Sequence, residues 1–156
     1  METWQLAALE GIRKTLAEYV IFTDSGRSRE FAALFAEDGV FVLPSGHALT
    51  GPQAIVGFLD AQAELFQFQP AMAPPEPGYL RHQITTQNID VLNENAATVE
   101  AYFMTCTSKG LDHWGRWLDE LQREPDGRWR FKKRVVLTEA SYPDSWYAGV
   151  FSKAAG

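Results

Sequence analysis

The apolar residues of this chain follow a helical period in its first half and a strand period in its second half. In residues 3–22 they recur at steps of three and four, which places one apolar stripe on one face of a helix. From residue 80 onward the period becomes two, through four long segments at 80–92, 96–108, 113–124 and 128–138. Helices followed by a long antiparallel meander predict an α+β fold in which the sheet curls around the helices.

Two further helices are expected before the meander. A short one fits residues 28–36, with Ser28 as its N-cap. The run Thr50-Gly51-Pro52-Gln53 resembles a capping box and predicts a third helix from there to about residue 66. Residues 40–43 favour a short strand, and residues 67–78, which hold four of the eight prolines, are predicted to form a loop.

Short polar turns separate the four long strands. Each is a hairpin signal: Asn93-Glu94-Asn95, Lys109-Gly110 and Pro125-Asp126-Gly127. We expect a single domain over residues 1–140. The tail, residues 141–156, carries Trp146, Tyr147 and Phe151, which are too many aromatic residues for a free end, so we expect it to dock on the domain.

The composition fits one packed domain and argues against several kinds of partner. With 156 residues, of which 46% are hydrophobic and 22% charged, the chain has enough apolar surface for a core. A net charge of −6 without a basic run argues against nucleic-acid binding, and no apolar run is long enough for a membrane span. The single cysteine, Cys106, cannot form an internal disulfide, and no signal peptide is evident, so we expect a cytoplasmic protein.

A histidine on the inner face of the sheet is the first candidate for chemistry. Alternation along the first long strand places His82 on one face with Leu80, Ile84 and Thr86. It is either a core histidine bonded to a backbone carbonyl or a general base facing a pocket. Asp24, at the expected end of the first helix, is either a turn residue or a carboxylate that turns back towards that pocket.

The other two histidines are less constrained. His113 shares a face with Gly115, Trp117 and Asp119, but alternation does not decide whether that face is the inner one. His47 lies in a short hairpin beside a glycine, where we expect it to be exposed. The three histidines lack the short spacings of zinc or iron ligands, and no glycine-rich phosphate loop is present. We therefore predict no metal and no organic cofactor.

The pocket walls are assigned to aromatic residues. Phe41, Tyr102 and Trp117 are candidate wall residues, although each could belong to the core. Arg134 alternates with three other basic residues, Arg128, Arg130 and Lys132. This alternation predicts that the Arg134 side chain lies on the solvent face unless a bulge shifts it.

Several short motifs follow one another along the chain in a characteristic order. In the first half they are Tyr19-x4-Asp24, the run from Leu34 to Phe41, Pro44-x-Gly46 and Gly51-x-x-Ala54-Ile55. In the second half they include Arg81-His82, Ile89-Asp90-Val91, Ala97-Thr98-Val99, Tyr102-Phe103, Gly115-Arg116-Trp117-x-Asp119 and Gly127-Arg128-Trp129-Arg130-Phe131. Taken in this order, they resemble the SnoaL-like branch of the NTF2-like superfamily. The resemblance implies a cone-shaped α+β barrel with a deep pocket, built from three N-terminal helices packed on a strongly curved, mostly antiparallel sheet.

The resemblance also implies a set of site residues. In eliminating members of the branch, an Asp at the end of the first helix pairs with a His on the first long strand, and these positions correspond to Asp24 and His82. Tyr19 matches a pocket tyrosine and is assigned as proton donor, while His113 is a further pocket residue. This implies a cofactor-independent lyase (a dehydratase-like elimination) or an isomerase acting on a small, apolar, oxygenated ring compound.

Two alternatives remain open at this point. One is a non-catalytic binding or assembly subunit, such as the small subunit of a ring-hydroxylating dioxygenase. The other is a stress-type domain with a structural pocket, which predicts that Asp24 and His82 do not touch. The resemblance further implies a homodimer or homotrimer, with a partner covering an outer sheet face to which we assign Val99, Ala101 and Phe103.

Overall fold

A computed structural model describes the chain over residues 2–66 and 80–151. The elements in chain order are α1 (Thr3–Asp24), α2 (Ser28–Ala32), β1 (Phe35–Val42), β2 (Ala48–Thr50), α3 (Gly51–Phe66), β3 (Leu80–Asn93), β4 (Ala96–Thr107), β5 (Gly110–Arg123), β6 (Trp129–Ser141) and α4 (Trp146–Phe151). The loop predicted at residues 67–78 lies outside the described residues. None of the described helices is both long and apolar enough to cross a membrane.

The six strands form one mixed, curved sheet in the order β2-β1-β6-β5-β4-β3. β1 and β6 run parallel, and every other neighbouring pair is antiparallel. Over the described residues β2 and β3 remain edge strands, so the sheet does not close into a barrel. The predicted α+β class, with three N-terminal helices on a mostly antiparallel sheet, is confirmed.

Tight turns connect the long strands where the sequence predicts them. The turn before β5 uses Gly110 at φ +112°, and the turn before β6 uses Gly127 at φ +82°. Only glycine adopts such angles at little cost, which is why these two residues mark the hairpins.

The second helix is shorter than predicted because tertiary pairing outweighs its local preference. The helix ends at Ala32 rather than at residue 36, and Phe35 already pairs with Phe131 of β6. The Leu34 carbonyl accepts the Phe131 N–H at 2.8 Å. Ser28 is not the N-cap but the first helical residue, and its hydroxyl donates to Asp60 Oδ1 at 2.6 Å.

Alternation along β4 defines the inner and outer faces of the sheet. Val99, Ala101 and Phe103 are buried on the inner face, against the helices. Their assignment to the outer face is therefore wrong, because the alternate set, which includes Glu100 and Tyr102, points outward. An apolar inner face follows from the layer of helices that covers it.

Bulges interrupt this alternation and bend the strands. β3 pairs with β4 at Ile84↔Phe103 and at Thr86↔Tyr102, which leaves Thr85 as an extra residue. Beyond it the inner face passes to the odd-numbered residues, so Thr86 is exposed and not on the inner face as predicted.

Candidate active site

Asp24 and His82 meet where α1 ends beside β3, although they lie 58 positions apart in the chain. Asp24 Oδ1 is 2.6 Å from His82 Nδ1, and Asp24 Oδ2 accepts the His82 backbone N–H at 3.0 Å. Only 8% of the Asp24 and 16% of the His82 side-chain surface is exposed. An ionised Asp24 can only accept hydrogen bonds, so His82 Nδ1 carries the proton and donates it to Asp24. His82 Nε2 then carries no proton and can accept a hydrogen bond.

A glycine-closed helix end places Asp24 at this position. Gly26 takes φ +65°, and its N–H donates to the Thr23 carbonyl at 3.1 Å. The Arg27 N–H donates to the Phe22 carbonyl at 2.9 Å. This pair of bonds is a Schellman motif, which terminates α1 directly after Asp24.

The electrostatics of the helix end favour a donor opposite Asp24. Its carboxylate adds negative charge to the negative end of the α1 dipole, which is unfavourable unless N–H groups face it. The two N–H groups of His82 do so. This contact contradicts the alternative of a purely structural pocket, which predicts that the two side chains do not touch.

A mostly apolar cavity of about 230 Å³ opens beside the pair. Asp24 and His82 lie in its wall, together with an apolar set from α1, α2, α3, α4 and the strand ends: Phe22, Phe31, Leu43, Phe58, Leu59, Leu80 and Trp146. An apolar cavity of about 150 Å³ accommodates benzene. The larger volume here therefore suits a molecule of one or two rings.

His113 forms a second His–Asp pair, with its Nδ1 2.8 Å from Oδ2 of the preceding residue, Asp112. β5 pairs with β4 at Leu111↔Cys106 and at His113↔Thr105, so Asp112 is an extra, bulged residue. Both side chains of the pair are buried as a result. Sequence reasoning missed Asp112 because simple alternation places it on the face opposite His113.

His113 is not among the residues that line the cavity, so its prediction as a pocket residue is wrong, but the two imidazoles lie close together on the inner face. Their ring centroids are 6.3 Å apart and their planes are 84° apart. Burial lowers the pKa of His113, the hydrogen bond with Asp112 opposes this shift, and the nearby His82 reinforces it. The lowered pKa favours the neutral form of His113 at neutral pH.

Thr105 lies on the strand between the two histidines and is the cross-strand partner of both. Its side chain is fully buried, and its hydroxyl has no hydrogen-bond partner within the described part of the chain. Nothing in the residue pattern singles out this threonine, because its position between the two histidines depends on the register of three strands.

Tyr19 does not line the cavity. Its ring packs 4.7 Å from Phe31 and 5.1 Å from Trp117, and the Arg134 guanidinium carbon lies 3.9 Å from the ring centre. Burial raises the pKa of Tyr19 to about 12, so it stays a neutral phenol. The expectation that Tyr19 faces the substrate as proton donor is wrong, because its ring fills the core.

Phe41 and Trp117 belong to the same core rather than to the cavity wall. Trp117 is stacked 5.0 Å from Phe103 at 11°, and its ring lies 6.5 Å from that of His82. Phe41 packs 5.4 Å from Phe35. Trp117 therefore packs against His82, whereas Phe41 packs among the core aromatic rings, and both have the core role that the sequence left open.

The prediction that Tyr102 is a wall residue is wrong. Half of its surface is exposed on the outer face, where it neighbours Thr85 and Leu111 rather than the cavity. Alternation with the buried Ala101 and Phe103 gives the physical reason.

Arg134 lies in the core and not on the solvent face. β6 pairs with β5 at Phe131↔Leu121 and at Lys133↔Glu120, so Lys132 is an extra residue that shifts the alternation. Arg134 is fully buried and makes a bidentate ion pair with Asp119, at 2.7 and 2.6 Å. The bulge that the sequence prediction left open is therefore present.

Within residues 2–66 and 80–151, no three imidazole, thiol or carboxylate groups gather as metal ligands. The expectation that the protein uses neither a metal nor an organic cofactor stays a prediction. His47 is exposed beside the β1–β2 turn, as expected.

Residues 4–135 match the model of the SnoaL-like domain family. Because this match covers most of the chain, the protein belongs to the SnoaL-like family. No curated protein sequence matches the chain significantly.

Solved structures share the fold at low identity. A proposed scytalone dehydratase from Novosphingobium aromaticivorans is 21% identical, with 91% of each chain covered and a TM-score of 0.72. LinA is 15% identical, with 88% of this chain and 89% of LinA covered and a TM-score of 0.72. ActVI-ORFA from Streptomyces coelicolor is 19% identical, with 85% of this chain and 98% of that chain covered and a TM-score of 0.67.

Proposed function

We propose that this protein is a cofactor-independent lyase or isomerase that acts by general acid–base catalysis on a small, mostly apolar, oxygenated ring compound. The observation that carries the proposal is the double contact of Asp24 with His82 in the wall of an apolar cavity. A histidine oriented by a buried carboxylate beside an apolar pocket is suited to removing a proton from carbon.

The base is His82 Nε2, and Asp24 orients it. Nε2 takes a proton from a carbon next to a carbonyl or a leaving group, and the C–H electron pair forms the new double bond. In an elimination, the leaving oxygen departs with its bonding electrons and receives the proton back from His82, so that water is released. In an isomerisation, the same proton returns to a different carbon, and the enzyme ends in its starting state in both cases.

His113 complements this base without competing with it. Its buried, neutral ring keeps Nε2 free as a hydrogen-bond acceptor, because Nδ1 faces Asp112. Two charged imidazoles with centroids 6.3 Å apart would repel each other, so the pair favours a single positive charge. That charge arises at His82 during turnover.

Exchange of carbon-bound hydrogen for deuterium from the solvent tests the proposal across a whole class of compounds at once. Wild type is incubated in D₂O with a panel of one- and two-ring ketones and β-hydroxyketones, and NMR follows deuterium incorporation and loss of water. We expect His82→Gln to lower the rate on any active panel member by roughly 10²–10⁴, the usual contribution of a general base. His47→Gln, which changes the exposed histidine, is the matched control and should keep the wild-type rate.

The outcome also separates catalysis from binding. An active panel member that reacts equally well with wild type and His82→Gln would overturn the proposal. Ring compounds that bind wild type and His82→Gln with the same affinity and undergo no exchange would instead favour the non-catalytic binding or assembly subunit.

A further inference from the structure

We propose that Asp112 is a positioning residue that fastens α4 to the site and orients His113 at the same time. Through it, the second imidazole and the cavity wall formed by Trp146 are set in place together. The catalytic meaning of this arrangement rests on the proposed function above, whereas the arrangement itself does not.

Asp112 has three donors around one buried carboxylate. Its Oδ1 accepts the Trp146 backbone N–H at 2.7 Å, and its Oδ2 accepts the Tyr147 backbone N–H at 3.2 Å. The same Oδ2 lies 2.8 Å from His113 Nδ1. Only 4% of Asp112 is exposed, so these groups replace the water that a carboxylate otherwise requires.

The start of α4 depends on this carboxylate. The first N–H groups of a helix have no partner within it, and a six-residue helix is too short to be stable alone. Ser145 acts as N-cap, because its hydroxyl accepts the Ala148 N–H at 2.9 Å. Asp112 binds the two preceding N–H groups and places a negative charge at the positive end of the helix.

The helix in turn completes the surroundings of His113. The Tyr147 ring stacks 4.7 Å from the His113 ring, and the Trp146 ring lies 6.3 Å from it. Trp146 also lines the cavity together with His82. Release of α4 would therefore expose His113 and open the cavity wall in one event.

Asp112→Asn, made in the full-length protein, tests whether Asp112 both fastens α4 and orients His113. ¹⁵N NMR of the imidazoles should show the Nδ1–H tautomer of His113 in wild type and its loss in the variant. Amide exchange of Trp146 and Tyr147 should accelerate at least about tenfold, the factor expected for one charge-assisted hydrogen bond. Asp24→Asn is the matched control, and it should alter His82 while leaving the Nδ1–H tautomer of His113 and the protection of both amides as in wild type.

A second pair of variants tests the same link from the helix side. Trp146 is the first residue of α4, a position that tolerates proline, so Trp146→Pro removes one N–H donor to Asp112 with little effect on helix geometry. Trp146→Ala removes the same side chain and keeps the N–H. We expect the pKa of His113 to rise further towards its ordinary value in Trp146→Pro than in Trp146→Ala, because a loosened α4 relieves the burial of the ring.

The proposal is overturned if Trp146→Pro and Trp146→Ala give the same His113 pKa. It is also overturned if Asp112→Asn leaves the two amides as protected as in wild type. Neither readout requires a substrate, so failure here is distinguishable from failure of the assay for deuterium exchange at carbon.

Discussion

The Asp24 carboxylate holds His82 at two points, the ring nitrogen Nδ1 at 2.6 Å and the backbone N–H at 3.0 Å. The backbone bond fixes where β3 begins relative to α1, and the ring bond fixes the tautomer and the direction of the imidazole. Protein contacts alone therefore orient His82, and for the base of the proposed reaction this removes reorganisation from the reaction step.

Asp24→Asn should lower the exchange activity of the protein by about 10²-fold or more, because an amide cannot hold Nδ1–H with the strength of a carboxylate. The rate of deuterium incorporation into an active panel ketone measures the effect. Asp60→Asn is the matched control, since Asp60 is a second carboxylate in the cavity wall that bonds to Ser28 rather than to the histidine. Equal losses in both variants would remove the orienting role from Asp24.

The long elements could be predicted from the sequence because their signals are local. The apolar stripe of α1 and the period-two segments of β3 to β6 each follow from residue spacing, and glycine marks the turns at Gly110 and Gly127. The pairing of Asp24 with His82 follows from family resemblance, because spacing alone leaves both residues with ordinary structural interpretations.

One group of errors has a single physical cause, the bulges. An extra residue at Thr85, Asp112 or Lys132 shifts which side chains face inward, and nothing local in the sequence marks these positions. They account for the wrong face given to Thr86 and Arg134. The Asp112 bulge also concealed the second His–Asp pair.

Stability should fall as the pH is lowered below about 6.5, and His113 should account for part of that loss. Burial lowers the pKa of His113 in the folded protein, with His82 adding to the effect and Asp112 opposing it. Between the ordinary histidine pKa and the lower pKa of His113 in the folded protein, the unfolded chain binds more protons than the folded one. Lowering the pH through this range therefore favours unfolding. Urea unfolding at pH 7.5 and 5.5 measures the change in the free energy of unfolding.

The matched variant for that measurement is His113→Asn. It should lose less stability than wild type between the two pH values. An identical loss in both proteins would show that His113 is not the titrating group.

Thr105→Val should keep or raise the free energy of unfolding, by up to about 2 kcal/mol, because the replaced hydroxyl is buried without a partner among residues 2–66 and 80–151. Thr105→Ser keeps the hydroxyl and removes the methyl group, so it should be less stable than wild type. Denaturant unfolding of the three proteins checks the order. A destabilised valine variant would mean that the hydroxyl has a bonding partner, such as an ordered water, beside the histidines.

Arg134→Met should destabilise the protein by about 3–5 kcal/mol, because it leaves the Asp119 carboxylate buried and unpaired. The double variant Asp119→Leu/Arg134→Met removes both charges and should recover most of that loss. Denaturant unfolding of both variants gives the comparison. A double variant as unstable as the single one would show that the pair is not an isolated structural unit.

The most direct test of the central claim is the protonation of the His82 ring, measured by ¹⁵N NMR of the full-length protein at neutral pH. The structure predicts a proton on Nδ1, a free Nε2 and loss of this single tautomer in Asp24→Asn. A proton on Nε2 in wild type, or an Asp24→Asn spectrum unchanged at His82, would contradict the account.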